Sequence, residues 1–391
     1  MQFLHRTWAQ IDHDALTNNF NLIREMVSGS KIMAVVKADG YGHGAVEVAK
    51  TFVAAGADWL AVSNIEEALQ LRQAKITLPI LILGTTPAEY AHLLSREKIT
   101  QTVYGTDYAE ALSQEAVKAG AEVEVHIKFD TGMGRIGFSA HDEQGLQEAL
   151  AACKLSGLKV TGAFTHFASS DKDGDADGSY TAAQLDKFNA ATALLKSAGV
   201  DLKLCHCSNS AATLTLPHAA MDMVRAGIIL YGLMPSSQMK DDRFKQAMTL
   251  CSSVSMVKTL KKGQDLSYGR TFTAPKDMRV ATLPIGYADG YVRGYSGSRV
   301  LINGAWATVI GRVCMDQMII DVTDIDTKIG DTATLFGYDD KGNFLPVDEL
   351  ASRAGTINYE SVCLISKRVT RVHQKKGEAF HITTLLNQGE N

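Results

Sequence analysis

From about residue 30 to about residue 230, short apolar runs alternate with longer amphipathic stretches. The runs at 31–37, 58–62, 79–83, 100–104, 122–129, 159–165, 202–207 and 221–225 predict strands. Most are apolar without strict alternation, as in strands covered on both faces of a parallel sheet. The stretches 44–55, 65–73, 108–119, 142–152, 181–197 and 210–216 carry the helical period. Eight such β-α units in this span predict an α/β chain with a (β/α)8 barrel over 12–239. A doubly wound open sheet would alternate in the same way. Past residue 240 the pattern changes. Short strand-like runs at 252–259, 279–284, 299–302, 308–310, 318–322 and 333–336 are punctuated by Gly, Asn and Asp, and a helical pattern returns only at 347–353. A second, mostly β domain over 240–391 is expected, joined by residues 1–11 through a strand at 7–11. The polar tail 374–391 is expected to fray or to pack loosely.

Composition narrows the classes. Hydrophobic residues make up 46% and charged residues 21% of 391, ordinary for a globular enzyme. A net charge of -4 gives no reason to expect nucleic acid or an anionic membrane as partner. No apolar run approaches a membrane span, and the first eight residues lack the apolar core of a secretory signal. Six scattered cysteines form no disulfide framework, so reduced thiols and a cytoplasmic protein are expected. Cys205-His206-Cys207 has no second ligand pair at zinc spacing, and no metal is expected.

In a barrel, chemistry gathers at the C-terminal ends of the strands. The expected ends carry Lys37, Ser63-Asn64, Gly84, Lys128-Phe129-Asp130, His166, Ser208-Asn209-Ser210 and Arg225. Lys37 follows an apolar run, with Met33 and Val35 on its own face, and precedes glycines at 40, 42 and 44. A desolvated lysine amine anchors aldehyde cofactors, because burial lowers its pKa and frees its lone pair. By itself the segment also suits a lysine that reaches water from a strand end. Asn209-Ser210 opens a helical run, and Gly227 follows the eighth strand, where the backbone can close on an anion. A lysine anchor and a phosphate cradle on one rim imply pyridoxal phosphate.

Three motifs mislead. Gly132-Met-Gly134-Arg-Ile-Gly137 fits a dinucleotide pattern, but the next strand ends in His166 rather than an acid for the ribose. Asp130-Thr-Gly132 has no second copy to form a carboxylate pair. Asp173-Gly-Asp175-Ala-Asp177-Gly178 imitates a calcium loop, yet Gln184 stands where a bidentate glutamate belongs.

The runs Val-Val-Lys37-Ala-Asp-Gly-Tyr41-Gly-His-Gly, Lys128-Phe-Asp-Thr-Gly-Met-Gly-Arg135, Phe-Thr-His166, Asn209-Ser210-Ala, Val-Arg225-Ala-Gly227-Ile228, Ser267-Tyr268-Gly, Ile-Gly-Tyr287-Ala-Asp-Gly and Cys-Met315-Asp316 together resemble alanine racemases over essentially the whole chain. The resemblance implies that Lys37 holds pyridoxal phosphate, and that Tyr41, Asn209, Ser210, Gly227, Ile228 and Tyr359 hold its phosphate. It implies Arg225 at the pyridine nitrogen, braced by His166. A cation there makes the ring a weaker electron sink and favours returning a proton to the α-carbon. Arg135 would reach the cofactor phenolate and pair with Lys128, which carries a carbamate in some members. Lys37 and Tyr268 would act on opposite faces, the phenol's usual pKa of about 10 lowered by positive charge nearby. Arg135, Tyr268, Tyr287, Met315 and Asp316 would line the substrate position. Tyr268 and Met315 would come from the other subunit of a head-to-tail homodimer. Gly40 stands where many members have alanine, which should only loosen the loop. The implied activity is racemisation of alanine, feeding D-alanine to peptidoglycan. A serine or broad-specificity racemase stays open. A related decarboxylase would place a carboxylate where Arg225 stands, and a non-catalytic pyridoxal-phosphate carrier would lack the β domain.

Overall fold

A computed structural model describes residues 3–27, 29–172 and 179–386. The imitation calcium loop at 173–178 lies outside the described residues. Eight parallel strands form one sheet: Lys31–Val35, Trp59–Val62, Ile80–Ile82, Ile99–Val103, Val123–Asp130, Leu158–Phe164, Leu204–His206 and Met223–Ala226. Neighbours in sequence are neighbours in space, and the eighth strand pairs with the first in parallel register, Arg225 opposite Met33. The seventh and eighth strands share no ladder, but the Asp222 N–H donates to the Cys205 carbonyl at 3.2 Å and the Arg225 N–H to Ser208 at 3.0 Å. These two bonds close the (β/α)8 barrel. The open doubly wound sheet is thereby ruled out.

Strand ends differ from expectation where the site begins. The first strand stops at Val35, not 37, because Lys37 opens a turn instead of extending the sheet. A 14-residue helix, His13–Met26, precedes the first barrel strand and was not expected. Its buried residues His13, Leu16, Phe20 and Ile23 follow the helical period, and Asp12 caps it by accepting from the Asp14 and Ala15 N–H groups.

The second sheet is mostly antiparallel and runs from Met256–Leu260 at one edge to Glu378–Thr383 at the other. Thr7–Asp12 sits within it, antiparallel to Met248–Ser253 and parallel to Thr370–Lys375. The tail does not fray over its described part. Thr370–Lys375 and Glu378–Thr383 form a hairpin, with Val372 opposite Ile382 and part-buried Ala379 and Ile382 against Trp8. A second helix, Asn358–Cys363, follows Val347–Arg353. The apolar core is continuous across both sheets. Among the described residues, no helix is long and apolar enough to cross a membrane.

Within the β domain, three chain segments meet at Asp289, whose carboxylate is fully buried. It accepts two bonds from Arg6, at 3.0 and 2.9 Å, and one from the Gly286 N–H at 3.1 Å, and it pairs with Arg368 at 3.2 Å. Asp289→Asn removes the charge but keeps the shape. It should cost about 2–3 kcal/mol, because removing one partner of a buried pair strands the other. Urea unfolding measures this; an unchanged midpoint would show that the two arginines are satisfied by water.

Candidate active site

Lys37 is the second residue after the first barrel strand, at its C-terminal rim. Ala38, Asp39, Gly40 and Tyr41 all have φ between +52° and +60°, and Gly42 has φ 78°. The backbone winds one left-handed turn: the Gly40 N–H reaches the Val36 carbonyl and the Gly42 N–H reaches Ala38, both at 2.9 Å. Such a turn costs roughly 1–2 kcal/mol for each residue with a Cβ, so neighbours must hold it. Glu67 accepts from the Ala38 N–H at 2.7 Å, and Asp39 accepts from Ala45 at 2.9 Å. Gly40 does more than loosen the loop, because a Cβ there would lie 2.7 Å from the Val48 side chain. The turn aims Lys37 into a cavity of about 630 Å³ and places Tyr41 on its wall. Burial, then the charge of Arg135, lowers the Lys37 pKa from that of a free lysine.

Arg225 is buried, and every acceptor described for it is uncharged. Its guanidinium donates to His206 Nδ1 at 3.0 Å, His166 Nδ1 at 3.2 Å, and the carbonyls of Thr165, Cys207 and His206 at 2.8, 2.9 and 3.1 Å. Burial and Arg225 push both imidazoles well below the usual histidine pKa, so they stay neutral. An arginine only donates, which makes His206 Nδ1 an acceptor and leaves Nε2 to donate to His126 Nδ1 at 3.0 Å. The expected brace at His166 is present. His206 and His126, which form the longer part of this chain, were not foreseen as site residues.

Tyr41, Ser210 and Gly227 converge on one point. Ser210 Oγ accepts from the Gly227 N–H at 2.9 Å, and a Cβ built on Gly227 would lie 2.8 Å from Tyr41 Oη and 3.3 Å from Ser210 Oγ. Asn209 caps the helix Ser210–Thr215 by accepting from Ala212 at 3.0 Å, which turns that first helical turn toward the same space. Tyr359 lies beside Tyr41, with ring centroids 6.2 Å apart. Hydroxyls and a glycine N–H around a hollow fit a phosphate. With Lys37 and Arg225 on the same cavity, the residues fit pyridoxal phosphate.

Lys128 is buried, donates to the Phe129 carbonyl at 2.8 Å and lies 5.4 Å from the Phe164 ring centre. Burial, then Arg225, lowers its pKa to about 7. Asp130 serves its own loop, accepting from the Gly132 and Gly134 N–H groups at 2.9 and 3.0 Å. Gln184 is buried and takes up Ala168, Thr131 and the His166 carbonyl.

The cavity gathers Lys37, Tyr41, Lys128, Arg135, His166, Asn209, Ser210, Arg225, Gly227 and Tyr359. Ile228 is fully buried just behind Gly227. Tyr268, Tyr287, Met315 and Asp316 are not among the residues lining it. Tyr268 is 70% exposed on a short turn, and Met315 and Tyr287 are exposed too. The Ala288 N–H donates to the Met315 carbonyl at 3.0 Å, and Asp316 accepts from Arg368 at 2.8 Å.

Two family models match: the alanine racemase N-terminal domain over residues 11–235 and the C-terminal domain over 247–373. The chain belongs to the alanine racemase family. The alanine racemase of Clostridium perfringens (strain ATCC 13124) is 48% identical over 97% of this chain and 98% of its own length. That of Clostridium novyi (strain NT) is 42% identical over 98% and 99%. Among solved structures, alanine racemase of Clostridium difficile 630 superposes with a TM-score of 0.91 at 41% identity, covering 98% of this chain and 99% of that one. The Bacillus anthracis alanine racemase with bound L-Ala-P gives 0.90 at 36%, covering 99% and 100%. Alanine racemases are pyridoxal-phosphate enzymes, in keeping with the donors around this cavity.

Two measurements follow from this geometry. Gly227→Ala puts a methyl into the phosphate hollow, so affinity for pyridoxal phosphate should fall at least about tenfold, about 1.4 kcal/mol, while the fold persists. Titration of apoenzyme checks it, and unchanged affinity would place the phosphate elsewhere. For Lys128, the folded pKa near 7 lies below the unfolded value, so unfolded chains bind the extra proton between them. In cofactor-free protein and CO2-free buffer, this group's contribution to stability should therefore rise with pH from about 7 to about 10. Lys128→Met should flatten that rise and be the more stable form at pH 7.

Proposed function

We propose that this chain interconverts L- and D-alanine as a head-to-tail homodimer with composite sites, supplying D-alanine for peptidoglycan in the cytoplasm. The observation that carries the reading is the cavity itself: a lysine of lowered pKa and a phosphate hollow share one rim with an arginine whose described acceptors are all neutral. Bound pyridoxal phosphate supplies an aldehyde for the amino group of alanine and a ring that draws electrons from its α-carbon. The chain's residues supply the rest.

Tyr41, Ser210, Asn209, Tyr359 and the backbone of Gly227 and Ile228 hold the phosphate. Arg225 faces the ring nitrogen as a donor. His166, and through Arg225 His206, keep its orientation. A donor that stays charged there discourages ring protonation, whereas a carboxylate would favour it. Arg135 reaches the phenolate side, and Lys128, neutral over much of the physiological range, is a free amine able to take up carbon dioxide as a carbamate.

Lys37 Nζ holds or accepts the proton on one face of the α-carbon. Tyr268 of the partner subunit does so on the other, with the Met315 N–H of the partner subunit receiving the substrate carboxylate and Tyr287 and Asp316 of the partner subunit flanking it. Exposure of Tyr268, Tyr287 and Met315 in the single chain supports this arrangement, since these side chains would otherwise stand in water.

Mixed dimers test the composite site. One subunit carries Lys37→Ala and the other Tyr268→Phe. A shared site leaves one complete pair per dimer and about half the wild-type rate, while each parental homodimer loses at least about 10²-fold. No activity in the mixed dimer would mean both groups act within one chain. Chiral analysis of alanine, serine and lysine incubations fixes the substrate, and release of carbon dioxide would favour a decarboxylase.

A further inference from the structure

Arg371 lies on the strand Thr370–Lys375 of the β domain, 3% exposed. Its described hydrogen bonds all go to backbone carbonyls. Nε donates to Gly42 at 3.1 Å; the two terminal nitrogens donate to Ser366, Val369 and Ile365, the last two at 2.8 and 2.6 Å. Asp39, on the turn itself, is the charge that favours the cation, and burial opposes it. The neighbouring His43 is fully buried, its Nδ1 against the Tyr41 carbonyl at 2.8 Å, and burial holds it neutral.

These acceptors fall in two groups. Gly42 ends the left-handed turn that begins with Ala38, one residue after Lys37, and that carries Tyr41. Ile365, Ser366 and Val369 follow the helix Asn358–Cys363, which carries Tyr359. The contact is close: a Cβ on Gly42 would meet the Val362 carbonyl at 2.2 Å, and one on Gly44 would meet the His373 ring at 3.1 Å. One guanidinium thus ties together the walls that bear Lys37, Tyr41 and Tyr359.

We propose that Arg371 is a positioning residue for the racemase reaction: by holding the Gly42 carbonyl it keeps the left-handed turn wound, and so sets Lys37 and Tyr41 against Tyr359. This rests on the reading of Lys37 as cofactor anchor. A planar fork suits the task better than an ammonium, because it reaches carbonyls in several directions at fixed angles. The turn lies in a conformation that L-residues avoid, so loss of its end contact should let it unwind locally rather than unfold the chain.

Arg371→Lys and Arg371→Gln in the holoenzyme test the idea. Lysine keeps the buried charge, so it serves if glutamine fails to fold. In a folded variant, amide exchange in 37–44 should accelerate at least about tenfold while the strand Val123–Asp130 keeps its protection. Affinity for pyridoxal phosphate should fall about tenfold, and kcat about tenfold or more, with KM for alanine changed much less. Arg371→Lys should retain more of each than Arg371→Gln. Exchange and affinity within about twofold of wild type would overturn the proposal, as would exchange that rises evenly over both domains, the mark of a mere domain staple. Borohydride reduction of the wild-type holoenzyme and peptide mapping separates the two claims. A pyridoxyl group on another lysine would overturn the site reading; one on Lys37 beside unaltered exchange would overturn only the role of Arg371.

Discussion

The site depends on a buried cation balanced by neutral dipoles. Arg225 is desolvated, and burial drops its pKa to about 10, yet it stays protonated at neutral pH. Three carbonyls and two imidazoles accept its protons. This choice has consequences along the chain. A carboxylate partner would cancel the charge locally. Imidazoles instead leave it directed into the cavity, where it adds to burial in lowering the pKa of Lys128 and His166. The barrel makes this feasible, because the ends of its sixth and seventh strands present carbonyls toward the eighth.

The second constraint is conformational. A lysine on a regular strand would project from the sheet face with its neighbours. Stopping the strand at Val35 and winding a left-handed turn lets Lys37 enter the cavity and brings the Tyr41 hydroxyl to the phosphate hollow. Tyr231, fully buried beneath, donates to the Val35 carbonyl at 3.1 Å and packs on Tyr41. The β domain grips the turn from outside through Val362 and His373. The two sheets therefore cooperate in one site even within a single chain.

Most of this was legible, for identifiable reasons. Eight apolar runs with helical spacers announced the barrel because parallel strands are buried on both faces. The polar residues at their ends announced the rim. What escaped depends on geometry that sequence spacing does not encode. The left-handed turn holds Ala38, Asp39 and Tyr41, which ordinarily avoid positive φ, and Gly40 suggested only a looser loop. His126 had a usable signal: on the strand Val123–Asp130 it alternates with buried Val125 and Ile127, so it points with Lys128 into the barrel. His206 was weighed as a zinc ligand because two cysteines flank it; the arginine that claims it is 19 residues on. The tail hairpin was misjudged because its strands look polar, although Val372 and Ile382 meet on one face.

The exposed face of the β domain closes the argument about stereochemistry. Racemisation requires proton exchange on both faces of one carbon, so two groups must approach a flat ring system from opposite sides. With the phosphate held near Gly227 as proposed, Lys37 would serve the strand side of the ring. The second must come from beyond the mouth. In this chain the side chains suited to it, Tyr268 with Met315 and Tyr287 near at hand in the fold, stand outward on ordered turns: Ser267 Oγ donates to the Arg312 carbonyl and accepts the Arg312 N–H, at 3.0 and 2.9 Å. A tyrosine exposed at the surface yet carried by a locked backbone is preorganised for something outside its own chain. A two-fold pairing would bring each such turn to the other barrel's mouth and cover both at once. On the proposed pairing, division of the acid–base pair between subunits would follow from the geometry of the barrel mouth.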